Sequence, residues 1–319
     1  MKRFNNILLV YNSKVKQQSA VDRAVSLARQ NSATLTVFTV IKELPSNLIQ
    51  SMSDIPSQEL VELATADHLH RVDSLATELG RQGVSAQSKV VSGIPFIEII
   101  RQVLRDKHDL VIIAAEGKGG LKERLFGSTS MHLMRKCPCP VWVVKPSKQT
   151  TYKKIMATID TTSDFPDTVR QSLNPLIMQL SSSLAQMDNS ELHLVQVWSV
   201  FAEGYMEVRG GASEETIHDL RIQTRREYGD RLEGLLAAVN LEGVSIHRHL
   251  PRDDDVSNAI VKLVKNFKID LLVSGTVCRT GIAGFFIGNT AEKVLSEVNC
   301  SVLTVKPQGF VTPVTLNEK

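Results

Sequence analysis

The sequence has few cysteines and aromatic residues, and it has no long apolar run. Its four cysteines, Cys137, Cys139, Cys278 and Cys300, match no C-x-x-C redox pair and no zinc motif. We therefore expect reduced, buried thiols, as in cytoplasmic proteins. Only five apolar residues, 7–11, follow the polar N-terminus, too few for a signal peptide. No stretch approaches the roughly 18 apolar residues of a membrane span, so we predict a cytoplasmic protein that binds no membrane.

The sequence also lacks a large excess of charge of one sign, and it lacks the familiar catalytic motifs. The net charge is only +3, which gives no reason to expect a nucleic acid partner. No G-x-x-x-x-G-K-[ST] P-loop and no G-x-S-x-G hydrolase turn occurs. His247 and His249 would share one face of a strand, and His68 and His70 also alternate. Two histidines fall short of the three or four ligands of a zinc site, so no metal site is expected.

The sequence does contain an internal repeat. The segment Asp109–Ala114 matches Asp270–Gly275 at an offset of 161 residues, whereas Asn6–Leu9 matches Lys154–Ala157 at an offset of 148. The larger offset also relates Gly127 to Gly288, Cys139 to Cys300, and 144–146 to 305–307. The second copy therefore carries 13 extra residues, which we place in its middle. We predict domains at 1–148 and 152–309, a polar linker around 147–151, and a polar tail at 310–319.

Each copy alternates short β-branched runs with amphipathic stretches. The pattern predicts a doubly wound, five-stranded parallel sheet in each domain, an α/β fold whose ligands bind where the strand order reverses. The predicted helical stripes include Leu69, Val72, Leu75, Ala76 and Leu79, and then Ile97, Ile100, Val103 and Leu104. The predicted strands are 7–11, 34–41, 85–91, 110–114 and 141–144, then 154–159, 191–198, 244–250, 271–274 and 302–305.

A glycine pattern follows the fourth predicted strand of the second copy. Gly275-Thr276-Val277-Cys278 is followed, after nine residues, by Gly288-Asn289-Thr290 and a predicted helix. Glycine lets the backbone approach a phosphate, and the first N–H groups of a helix point at an anion. Asn289 and Thr290 add side-chain donors, and Arg279 and Thr280 could assist from the loop.

This pattern resembles the G-x2-G-x9-G-[ST] motif of the universal stress protein family. The second copy reads Gly275-x2-Cys278-x9-Gly288-Asn289, and the first reads Ala114-x2-Gly117-x9-Gly127-Ser128. The strings 288–292 and 133–138 are similar to those of double-domain, UspE-like members. The resemblance covers nearly the whole chain and is weakest at 42–84 and 199–241.

The resemblance implies an adenine nucleotide, ATP or ADP, which could bring Mg²⁺ with it; no other metal is expected. The family's adenine contact maps to Asp160 in the second copy and to Asn12 in the first, and its backbone contact maps to Val197 and Val40. We expect binding in the second copy, with Cys278 as the obstacle to tight affinity. An added methyl at Gly275 is expected to cost little in folding and to block the ribose. Gly117, Gly127 and Ser128 could still hold a phosphate in the first copy, although 117–120 also reads as a plain surface turn.

Three functions stay open at this point. The first is a stress-response protein that binds a nucleotide, and the second is a slow ATPase, for which no general base is evident. The third is a ligand carrier or scaffold with an apolar cavity under two lids, 42–58 and 199–213. Single-domain members of the family dimerise through their last strand, so the two copies are expected to form an intramolecular pair. A homodimer also remains open.

Overall fold

A computed structural model describes residues 4–42, 57–116, 126–161, 167–208, 210–276 and 288–316. The described residues before Thr151 and after Gly309 form one compact unit, and those between them form a second. In this part of the chain, no helix has the length and apolar character needed to cross a membrane.

The first unit contains one parallel sheet with the strand order β3-β2-β1-β4-β5. Helices connect successive strands, as parallel pairing requires. The elements are β1 Asn6–Val10, α1 Gln18–Asn31, β2 Thr34–Ile41, α2 Ser57–Arg81, β3 Ser85–Ser92, α3 Pro95–Asp106, β4 Leu110–Ala114, α4 Ser128–Lys136 and β5 Val141–Val144.

The second unit repeats this topology with the strand order β10-β9-β6-β7-β8, again all parallel. The predicted α/β fold of two repeated, doubly wound five-stranded domains is thereby confirmed. The elements are β6 Lys154–Thr158, α5 Asp167–Asp188, β7 Glu191–Val195, α6 Glu203–Val208, α7 Glu214–Ala237, β8 Ser245–His249, α8 Val256–Asn266, β9 Leu271–Gly275, α9 Asn289–Glu297 and β10 Ser301–Val305.

The core of each unit lies on both faces of its sheet. All five residues of β4 and all five of β10 are buried, whereas β3 and β8 are largely exposed or half-buried. Helices cover both faces of such a sheet, so its inner strands become apolar on both sides. The helical stripes differ slightly from the prediction, because Leu69 is 42% exposed and Ile99 is buried among the core residues of α3.

The extra residues of the second unit lie mostly in its first crossover. Asn6 pairs with Thr34 and Lys154 pairs with Glu191, so the offset rises from 148 to 157 between the first two strands. Nine of the 13 additional residues are therefore in the α5 crossover, not in the middle of the copy as expected. The 22-residue α5 is correspondingly longer than the 14-residue α1. This longer helix supplies side chains to the candidate site.

Candidate functional site

The strand order reverses between β6 and β9 in the second unit, and between β1 and β4 in the first. Thr158 at the end of β6 donates a hydrogen bond to Ser274 of β9, with 2.9 Å between the hydroxyl oxygens. The corresponding residues of the first unit are Val10 and Ile113, which are register partners. Ligands of open parallel sheets bind at this reversal. The second unit therefore has two hydroxyl groups at its strand reversal, where the first unit has two apolar side chains.

Asp160 lies two residues beyond β6 and is half-buried. The buried side chain of Asn174, on α5, clamps its backbone: Asn174 Nδ2 donates to the Asp160 carbonyl at 2.7 Å, and the Asp160 N–H donates to Asn174 Oδ1 at 3.4 Å. The sequence argument missed Asn174, which carries no motif. This clamp holds Asp160 beside the strand reversal.

Val197 follows β7 at the same edge and is buried. The buried amide of Gln196 links the two loops, because its Oε1 accepts from the Thr161 N–H at 3.0 Å and its Nε2 donates to the Val197 carbonyl at 3.0 Å. The Val197 carbonyl is thus already hydrogen-bonded within the unit. Gln196 therefore connects, through these two hydrogen bonds, the segments that follow β6 and β7.

Asn12, the counterpart of Asp160, is used differently. Its Oδ1 accepts the Lys14 N–H at 3.0 Å, and its carbonyl accepts a short hydrogen bond from Gln17 Nε2. These contacts close a local Asx-type turn before α1. The side-chain oxygen of Asn12 is therefore engaged by the turn.

The backbone of Gly275 ends β9 under the side chain of Leu173. A Cβ at Gly275 would lie 2.7 Å from Leu173 Cδ2, so Leu173 would have to move. This contact counts against the expectation that a methyl here costs little in folding, which the stability of a Gly275→Ala variant would test. Packing against α5 supplies a structural reason for Gly275, separate from any role in binding a ligand.

The next helix, α9, begins at Asn289 and is preceded by Gly288, which is in an extended conformation (φ −61°, ψ 143°) and brings no capping side chain. Asn289 and Thr290 are exposed in its first turn. The first N–H groups of a helix lack intrahelical partners and favour an anion. The predicted residues Cys278 and Arg279, and Gly117 of the first unit, lie outside the described residues.

Lys306 is a residue of this edge that the sequence argument passed over. Its side chain is buried at the end of β10, and its Nζ donates to the Thr276 carbonyl at 2.8 Å. A buried ammonium needs polar partners because desolvation of the charge is costly. The repeated Val-Lys-Pro string at 305–307 was the available signal for it.

In the first unit, the start of α4 is crowded by a carboxylate. Gly127 is extended (φ −73°, ψ 174°) ahead of Ser128, and the carboxyl group of Glu116 lies in the space that a Cβ of residue 127 would occupy. Anions are stabilised at helix N-termini. The chain therefore places its own anion where the sequence left room for a phosphate, and Glu116 was not singled out from the sequence.

The described residues give little support to apolar lids. Most of the segment 42–58 lies outside them. In 199–213, Phe201 is 93% exposed, and Tyr205 and Val208 are also exposed. A cleft of about 700 Å³ lies between α1 and α2 of the first unit, but its lining includes Lys16, Asp22 and Glu78 together with apolar side chains. Such a mixed lining suits water better than an apolar ligand.

A model of the universal stress protein family matches residues 3–145 and again 151–306. Universal stress protein E of Escherichia coli K12 is 28% identical over all of this chain and 99% of its own length. The homologue from Photorhabdus laumondii is 24% identical over 98% of each chain. A protein of unknown function from Pseudomonas aeruginosa PAO1 has the same fold, with a TM-score of 0.66 at 22% identity over 97% of this chain and 95% of its own. A universal stress protein from Archaeoglobus fulgidus has a TM-score of 0.62 at 17% identity, over 95% of this chain and 99% of its own.

Proposed function

The chain belongs to the universal stress protein family, and from that premise we propose that it is a stress-response protein whose second domain binds an adenine nucleotide. We take the domains as 1–148 and 152–309. ATP or ADP is the proposed ligand. The single observation that supports this proposal best is the polar strand reversal of the second domain, where the Thr158 and Ser274 hydroxyls meet next to Asp160.

The two ends of the site suit the two ends of a nucleotide. Asp160 can accept a hydrogen bond from the adenine amino group, because an ionised carboxylate is a pure acceptor. The start of α9 at Gly288, with Asn289 and Thr290 beside it, suits the phosphates. Buried Lys306 adds positive charge to the same edge, at the point where the chain leaves β9.

The first domain differs from the second at three of these points in its described part. Val10 and Ile113 replace the hydroxyl pair, and the oxygen of Asn12 is taken by its own turn. At the helix start, the Glu116 carboxylate would repel a phosphate and occupy its place beside Gly127. We therefore propose one nucleotide per chain.

Calorimetric titration of the full-length protein with ATP and with ADP tests this proposal. We expect a stoichiometry near one, and we expect Asp160→Asn to weaken binding by about 1–3 kcal/mol, as the loss of a charged hydrogen bond implies. The matched variant Asn12→Ala should leave the affinity unchanged. Measurement of released phosphate in the same samples separates binding from slow hydrolysis.

Two outcomes would count against the proposal. A stoichiometry near two, or equal losses in the two variants, would remove the asymmetry between the domains. No binding heat and no thermal shift with either nucleotide would remove nucleotide binding itself.

A further inference from the structure

Three histidines and one glutamate of the second domain meet on one face of its sheet, and we call them the histidine cluster: Glu191, His193, His247 and His249. Glu191 and His193 are alternate residues of β7, and His247 and His249 are alternate residues of β8. His193 is the register partner of His247 in the parallel ladder. Alternate residues of a strand point to the same face, so pairing of the strands brings all four side chains together.

The ligand atoms have the spacing of a metal site. One donor atom each from Glu191, His193 and His247 lies within 4.8 Å of the other two. Glu191 Oε2 is 3.4 Å from His193 Nε2 and 3.6 Å from His247 Nε2. Four ligands at about 2.0–2.1 Å from a tetrahedral metal lie roughly 3.4 Å from one another. Two of the three separations therefore suit a tetrahedral ion almost without movement.

The side chain of His193 is well placed to act as a metal ligand. It is 2% exposed, and in the described part of the chain its buried Nε2 makes no hydrogen bond of good geometry. Its Nδ1 lies 3.0 Å from His249 Nε2. Metals bind an unprotonated imidazole nitrogen, and the Nε2 of His193 lies 3.4 Å from the Glu191 carboxylate, a second potential ligand.

We propose that Glu191, His193 and His247 bind a divalent transition-metal ion of the zinc class, and that His249 orients His193. When His193 binds through Nε2, its proton is on Nδ1 and is donated to His249 Nε2. Metal-bound histidines are commonly held in this way through their second nitrogen. Two imidazoles and one carboxylate favour Zn²⁺, Ni²⁺ or Cu²⁺ over Mg²⁺ and Ca²⁺.

The surroundings leave the site accessible. In the described sheet of this domain β8 is the outer strand, and the His247 side chain is 45% exposed. Three protein ligands leave the fourth position for water or another ligand, as in catalytic rather than structural zinc sites. Lys154 Nζ lies 3.5 Å from Glu191 Oε2 and would compete with a cation for that carboxylate. The Lys154 side chain is 36% exposed and can turn towards solvent.

This proposal departs from the expectation of no metal site, which counted only His247 and His249 in this region. The third imidazole and the carboxylate come from β7, more than fifty residues earlier in the chain. Only the strand pairing brings them together. The proposal is independent of nucleotide binding, since none of its residues belongs to the proposed nucleotide site.

Calorimetric titration of tag-free, chelator-treated, full-length protein with ZnCl₂ at neutral pH tests the site. We expect one ion per chain. His249→Gln should weaken binding by about 10–100-fold, as loss of an orienting partner does, and His247→Ala should weaken it further. Lys154→Met should tighten binding, because it removes the competing charge. His218→Ala, at an exposed histidine of α7, is the matched control and should leave the affinity unchanged.

His193→Ala removes a buried side chain and could impair folding. The test therefore relies on His247→Ala, at an exposed position, and on Glu191→Gln, which keeps the size of the side chain. Co²⁺ provides a second readout, because a tetrahedral site gives a strong visible absorption that the ligand variants should abolish. The absence of zinc binding would overturn the proposal. So would equal affinities of the wild type and His247→Ala, which would place any bound ion elsewhere.

Discussion

Leu173 of α5 covers the backbone of Gly275 at the end of β9, closely enough that a Cβ on residue 275 would lie 2.7 Å from Leu173 Cδ2. The contact joins the first crossover of the second domain to the fourth strand of its sheet. It lies at the strand reversal, one residue from the Ser274 hydroxyl that Thr158 contacts. Gly275 therefore packs against α5 at the place where we propose that the nucleotide binds.

Gly275→Ala should destabilise the protein by about 1–3 kcal/mol, the usual cost of overpacking a filled site. Urea unfolding followed by circular dichroism measures this loss. The double variant with Leu173→Ala should recover part of it, because the smaller side chain makes room. Gly234→Ala in α7 is the control: nothing lies within 4 Å of the added methyl, so it should stabilise by about 0.5–1 kcal/mol. Equal effects of the two glycine substitutions would contradict this account.

Glu116→Gln should lower the stability of the first domain by about 0.3–1 kcal/mol at low salt, because a carboxylate at the start of α4 is lost. Inorganic phosphate should restore more stability to this variant than to the wild type, since the anion position is then available. Thermal unfolding in chloride and in phosphate buffers measures both effects.

Glu78→Gln is the control for this prediction, since Glu78 lies near the C-terminal end of α2. It should show neither the loss nor the phosphate response. A phosphate effect of the same size in both variants would show that Glu116 does not occupy an anion site.

The stability of the metal-free protein should fall as the pH falls from about 6.5 to about 4. The pKa of His193 is lowered to about 4 by burial and by the neighbouring His249 and His247, although Glu191 opposes this shift. Between these pH values His193 is protonated in the unfolded chain but neutral in the folded chain. Its contribution to the free energy of unfolding is therefore complete above pH 6.5 and is lost by pH 4. The shift corresponds to about 3 kcal/mol at most.

Urea unfolding at several pH values, with a chelator present, measures this slope. His193→Gln should flatten it, because the titrating ring is gone. His218→Gln should keep the slope of the wild type, because that histidine is exposed. Identical slopes in the wild type and His193→Gln would contradict the assignment.

The sequence by itself determined the architecture. Apolar runs such as Leu110–Ala114 and Val141–Val144 predicted strands that the structure has with the same bounds, because burial on both faces demands such runs. The repeat predicted two copies of one fold. The β7 prediction, 191–198, was too long, since the strand ends at Val195 and only an isolated bridge from Trp198 to Arg252 follows. The apolar pattern of a strand in the sequence does not show at which residue its hydrogen bonding to the neighbouring strand ends.

Only the tertiary structure decided which distant side chains meet. The β7–β8 register places His193 opposite His247, and α5 brings Leu173 onto Gly275 and Asn174 onto Asp160. Local sequence patterns encode which face of an element is buried, because that depends on neighbours three or four residues away. They do not encode contacts across fifty or a hundred residues, because the packing of whole elements sets these.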